Sequence, residues 1–211
     1  GTGTGFLTYS PAVGFRPLTS AELGGGLYRA IATNANIGIS TSQTFGTQTI
    51  NTLTFSGTST LTGIGNTATL NPSIGGILVL PGGGAKGTSG GILTATTNQL
   101  IIHQTDTVNT FNVNSVLTGS NGFIKTGAGA VSLNAQSFIT QSSNTTLNAG
   151  TLVLNSGGAN TLVALPTATV PSMVTMGING GTLDLNGKDQ AIATFSSVNT
   201  LAGMGGTITS T

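Results

Sequence analysis

The 211-residue chain carries nine charged side chains, about 4% of the total, and a formal net charge of +1, where soluble domains usually carry roughly 25% charged residues. The nine are scattered (Arg16, Glu22, Arg29, Lys86, Asp106, Lys125, Asp184, Lys188 and Asp189), which leaves no basic stripe for phosphates and argues against a nucleic-acid partner. Cysteine is absent, so neither a disulfide framework nor a thiolate metal site is available, and no apolar run reaches the roughly 18 residues of a membrane-spanning helix.

Residues 1–40 differ from the rest. They hold three of the nine charges, both tyrosines and two of the six prolines, and read as a cap, linker or junction. "SAEL" (20–23) is the only candidate helical turn, with Ser20 as cap and Leu23 closing it. Gly1 stands where a Met would, with no basic and apolar leader, so any export signal is expected to be removed or to lie outside this piece.

From about residue 45 the pattern is uniform, and residues 41–211 read as one domain. Short runs with few helix formers end at Gly, Asn, Ser or Pro, the mark of strands between turns. They are "TINTLTF" (49–55), "ATL" (68–70), "GILVL" (76–80), "GILTA" (91–95), "QLIIH" (99–103), "FNVNSVL" (111–117) and "GFIKT" (122–126). "AVSL" (130–133), "TTL" (145–147), "TLVL" (151–154), "TLDL" (182–185), "AIATF" (191–195) and "GTITS" (206–210) follow. The 39 threonines favour strands, because β-branched side chains fit a pleated surface. The stretch 155–174, with Pro166 and Pro171, reads as a longer loop.

One phrase occurs twice. "NAGTLVLNS" (148–156) and "NGGTLDLNG" (179–187) agree at six of nine positions. Side chains alternate across a strand, so Leu152, Leu154, Leu183 and Leu185 should be buried, while the Val153/Asp184 exchange should fall on a wet outer face with Asp184 exposed. Near-copied strands favour a solenoid over an antiparallel sandwich, since each unit buries its apolar face by stacking on its neighbours. Roughly 20 residues per coil are expected.

"GFIKTGAGAVSL" (122–133), followed by "SFITQSSNTTLNAGTLVL" (137–154), resembles the passenger-associated strand repeat of bacterial autotransporters, in which a Gly-x-x-Lys-Thr-Gly-x-Gly run leads to a Gly-Thr-Leu-x-Leu strand. "GGTLDLNGKDQAIATF" (180–195) is similar to the phrase that often follows, and "LIIHQ" (100–104) is close to another. The resemblance covers roughly residues 45–211. It departs where "FITQSSNTT" replaces the usual aromatic-Thr-Gly-Gly phrase. It implies an all-β fold, a right-handed parallel β-helix (β-solenoid) forming a single elongated domain, exported and part of a longer chain.

Motifs for chemistry are weak. "GTSGG" (87–91) matches the Gly-x-Ser-x-Gly elbow and would make Ser89 a nucleophile, but no helix pattern follows it. "GGGAKG" (82–87) lacks the Gly-Lys-Ser/Thr of a phosphate loop, and Lys86 is expected in a flexible loop. His103 ends a strand facing solvent or a corner; as a metal ligand it would have Asp106 alone nearby. Asp184 and Asp189, with Lys188 beside them, read as a solvated turn rather than a glycosidase or calcium carboxylate pair. No catalytic, cofactor-binding or metal-binding residue is assigned, and no enzyme activity is expected.

The expected role is therefore structural or adhesive: an extracellular or cell-surface β-solenoid of a bacterial fibre protein. Thr-x-Thr phrases at 47–49, 52–54, 58–62, 67–69 and 207–211 keep an ice- or glycan-binding face as the alternative, ahead of a polysaccharide-active β-helix enzyme. "GGTITST" (205–211) reads as an open strand with no cap signal. Head-to-tail self-association or covalent continuation is expected, with contact to a surface or glycan as a further partner.

Overall fold

The computed structural model describes residues 6–11, 14–17, 23–24, 35–63, 69–96, 98–119, 122–140, 144–165, 174–198 and 205–211. Among them every regular element is a strand. All pairings are parallel except one hairpin, and together they build the expected β-solenoid.

From Asn36 to Asp184 the described strands pass through three parallel ladders in a fixed order. The first contains Leu23–Gly24, Asn36–Ile39, residues 52–55 and 76–79, Leu100–Gln104, Phe123–Thr126, Asn144–Leu147, Val174–Ile178 and Ile192–Ser196. The second contains Gln43–Phe45, Ser59–Gly63, residues 86–89 and 111–114, Ala130–Leu133, Thr151–Leu154, Thr182–Asp184 and Thr207–Thr209. The third contains residues 48–50, 70–72, 92–95 and 116–119, then Ser137–Thr140 and Leu162–Leu165. Solenoid strands therefore occur inside the first 40 residues.

Parallel register gives each inward position a like neighbour one coil away. One column runs Phe111, Val131, Leu152, Leu183 and another Leu61, Thr88, Val113, Leu133, Leu154. The aliphatic members are buried in one continuous core, and Phe55 meets Phe111 edge to face with ring centroids 4.9 Å apart. Burying such side chains, each contributing about 1.5–3 kcal/mol, opposes the ordering of a chain that has few charged side chains.

The repeated phrase is one coil stacked on the next. Thr151 stands beside Thr182, Leu152 beside Leu183 and Val153 beside Asp184. Coil length is not constant: Gln43 pairs with Leu61, 18 residues on, whereas Thr151 pairs with Thr182, 31 residues on. The excess falls between the paired strands, so the inward columns stay in phase. Within 155–174, Leu162–Leu165 is a strand of the third ladder rather than loop; residues 166–173 lie outside the described part, as do Ser20 to Glu22 of the expected helical turn. Leu23 starts a strand.

Two glycines of the phrase explain why its corner recurs. Gly150 and Gly181 have φ of 71° and 80°, the left-handed region where a Cβ is penalised. A Cβ at Gly150 would also strike the Gly129 and Gly127 carbonyls, and one at Gly181 the Gly150 carbonyl.

Near the N-terminus, Leu7–Ser10 and Gly14–Pro17 form an antiparallel hairpin. Phe6, just before it, lies on the outer side of the first ladder, where a Cβ on Gly76 would come within 2.6 Å of its ring. The outward residues Thr52, Thr54 and Leu78 of the same wall are buried.

Candidate functional site

The corner between the first and second ladders concentrates the buried polarity. Lys86 should point outward if charge seeks water, yet it occupies the inward column between Ser59 and Phe111 and is 2% exposed. This corrects the flexible-loop expectation. Its ammonium donates to the carbonyls of Gly82 and Gly84 and to Asp106 Oδ2 at 2.9 Å. The aliphatic stem packs inside while the head reaches carbonyls left free by the turn.

Asp106, one coil on, is also buried. Its Oδ1 accepts from the backbone N–H groups of Val108 and Asn109, and Oδ2 from the Asn109 side chain and Lys86. Burial alone would raise its pKa, but the hydrogen bonds from Lys86, Asn109 and Val108 outweigh it and bring it from 3.8 down to about 2. Gln104 completes the corner: its amide donates to the Asn109 carbonyl and its Oε1 accepts from the Asp106 N–H.

Lys125 is fully buried, in register between Ile102 and Leu147. Its ammonium donates to the carbonyls of Thr126, Gly127 and Ala149 at 3.1, 2.7 and 2.8 Å, and burial pushes its pKa from 10.5 down to about 8. The lysine of the Gly-x-x-Lys-Thr-Gly-x-Gly run thus ties its own turn to the next one. Asp106 and Lys125 are committed to these internal bonds, not displayed as ligands.

The other singled-out residues are dispersed. Ser89 stands on the outer side of the second ladder between Thr62 and Asn114. His103 is half-buried on the first ladder beside Leu78 and Thr126, its pKa lowered by burial and by the nearby Lys125 charge. The two lie on different ladders. Among the described residues no three His, Cys, Asp or Glu side chains gather as a metal site requires, and no helix is long and apolar enough to cross a membrane.

Asp184 is not the exposed residue expected. It is partly covered: Oδ1 accepts from the Asn186 and Thr211 N–H groups, and Oδ2 from the Thr211 hydroxyl at 2.7 Å. Leu185 is only partly buried, packed against the edge of the core, because the strand Thr182–Asp184 ends before it.

The outer wall of the second ladder carries a feature not anticipated from the sequence, an asparagine ladder. Asn134 donates to Asn112 and Asn114, Asn155 to Asn134, and Asn186 to Asn155, at 3.3, 2.9, 2.9 and 2.7 Å. Asn179 donates to Asn148 at 2.8 Å at the other end of the phrase. The signal was present in the asparagines flanking both copies. Each amide is donor and acceptor, so identical residues at one coil position can satisfy one another without charge.

Among the described residues the threonine phrases do not merge into one flat face. Thr44 stands beside Thr62, and Thr151, Thr182 and Thr207 form a column. Thr52 and Thr54, however, lie between Asn36/Gly38 and Gly76/Leu78 and are buried.

Comparison with protein-family models, with curated proteins and with solved structures finds no match. The likeness to the autotransporter-associated repeat rests on the residues quoted for it.

Proposed function

We propose that the chain is a structural or adhesive β-solenoid segment of an extracellular bacterial surface or secreted fibre protein, extended end to end. The observation that carries this reading is the in-register stacking of the repeated phrase on itself, with internal polar corners and an amide-lined, nearly uncharged wall. Such a body acts through length and surface, with no reactive centre required. Low charge makes its cohesion insensitive to salt.

Extension is supported by the last rungs. Among the described residues, Ile192–Ser196 and Thr207–Thr209 pair on one side only, and Phe195 and Ile208 are each 48% exposed. A further rung, from continuing chain or a second copy, would cover them. Electron microscopy and sedimentation of the 211-residue chain test the second route: rods longer than one chain, lengthening with concentration, are expected. A dispersed monomer at high concentration would sink self-association.

The ice- or glycan-binding alternative gains little, because the threonines are divided among columns and partly buried. Thermal hysteresis above the level of an inert protein would restore it.

A further inference from the structure

The coil that begins at Thr182 omits a strand. Every earlier complete coil passes from the second ladder to the third and then back to the first, as 151–154, 162–165 and 174–178 do. After Thr182–Asp184 the chain instead reaches the first-ladder strand Ile192–Ser196 directly. Among the described residues, Leu162–Leu165 therefore pairs on one side only, with Ser137–Thr140.

The open side is occupied by a side chain. Gln190 Oε1 accepts from the Leu162 N–H at 3.0 Å, and Gln190 Nε2 donates to the Leu162 carbonyl at 2.9 Å. A neighbouring strand would satisfy these same two groups. The side chain is anchored from both directions: the Asn160 N–H donates to the Asp189 carbonyl at 2.8 Å, and the Ala191 N–H to Asn160 Oδ1 at 2.7 Å. Asn160 has φ 56°, a conformation asparagine tolerates better than most residues. Beside the plug lies a cleft of about 200 Å³ lined by Gln136, Ala159, Asn160, Leu162, Val163 and Ala191.

We infer that Gln190 is an edge guard: its amide takes the place of the missing third-ladder strand and denies the Leu162–Leu165 edge to a strand from another molecule. An unpaired parallel edge is a template for such addition, and a primary amide presents a donor and an acceptor side by side, as the backbone of a neighbouring strand does. The inference stands whether or not the chains join end to end, since it concerns the flank that is closed rather than the rungs that are open.

The test compares the full chain with Gln190→Ala and with Gln190→Ala/Val163→Lys. In Gln190→Ala, hydrogen exchange at the Leu162 amide should quicken by about tenfold, the loss of one net hydrogen bond, and thioflavin-positive assembly should start severalfold sooner. Val163 is partly exposed on this strand, so a lysine there should return assembly to the parent rate by charging the same edge. Faster exchange at Leu162 without faster assembly would overturn the guard role. So would faster assembly that Val163→Lys fails to reverse, which is the mark of general destabilisation. If Gln190→Ala does not fold, Gln190→Met, which keeps the length and drops both donor and acceptor without adding charge, goes through the same comparison with the same two overturning results.

Discussion

Val153 and Asp184, the central unlike pair of the repeated phrase, stand side by side on adjacent rungs. The exchange is tolerated because both side chains lie on the outer wall, while Leu152 and Leu183 on either rung are fully buried. Leu183→Ala should therefore cost about 2–5 kcal/mol through the cavity it leaves. Asp184→Ala loses its bonds to Thr211 and the Asn186 N–H and should cost under about 1.5 kcal/mol. Urea melts of the two variants check the ratio; equal losses would mean the phase of the strand is wrong.

Lys86 and Asp106 form a buried pair 2.9 Å apart. Lys86→Met should cost about 3–5 kcal/mol, since it strands a buried carboxylate, and Lys86→Met/Asp106→Leu should cost less than the sum of the single changes. The acid dependence follows in sign. Asp106 is ionised down to about pH 2 when folded and has an ordinary value of 3.8, so its contribution is complete above about pH 4 and is lost as pH falls through 2. Melting temperatures at pH 2 to 5 should converge for the parent and Asp106→Asn; curves that stay parallel throughout would remove the pair from the acid response.

Strand positions were legible because alternation and turn residues are local. "AVSL", "TLVL" and "FNVNSVL" all begin and end within two residues of their strands. Gln43–Phe45, Ser59–Gly63 and residues 86–89 were missed, since Thr, Ser, Gly and Lys there hide the inward phase. Lys86 lies inside rather than in the expected flexible loop, and the run of glycines before it hides the strand period. In "GFIKT", Lys125 is two residues from buried Phe123, and the strand period alone places it inside. The carbonyls that receive its ammonium come from Thr126, Gly127 and Ala149, and the last of these is a coil away, beyond what local pattern can supply. The Gln190 contact with Leu162 spans 28 residues and was hidden likewise.

Thr145 is fully buried between Phe123 and Met176, and its hydroxyl has no partner. Valine has nearly the same shape without the buried oxygen. Thr145→Val should thus be neutral or raise stability by about 1 kcal/mol, and Thr88→Val, another buried unpartnered hydroxyl, should behave alike. A loss above about 1 kcal/mol in either melt would require an internal water or other partner on that hydroxyl.

Lys125 should give the chain an alkaline signature opposite to that of an ordinary surface lysine. In the unfolded chain its ammonium holds the proton to about pH 10.5; in the core, where burial outweighs the three carbonyl contacts, it releases it near 8. Below about pH 8 both states are charged, and the folded state bears the full cost of burying that charge. Between 8 and 10.5 the unfolded state binds the extra proton, so this residue's contribution to stability rises with pH and levels off above 10.5. Lys125→Met keeps a long apolar stem and has no proton to lose, which removes this slope while leaving the turn carbonyls without their donor. Urea midpoints at pH 7, 8, 9 and 10 should therefore show the parent gaining on Lys125→Met as pH rises, other ionisable groups being common to both. A constant difference between the two proteins across that range would mean that the carbonyls of Thr126, Gly127 and Ala149 hold the ammonium charged in the core.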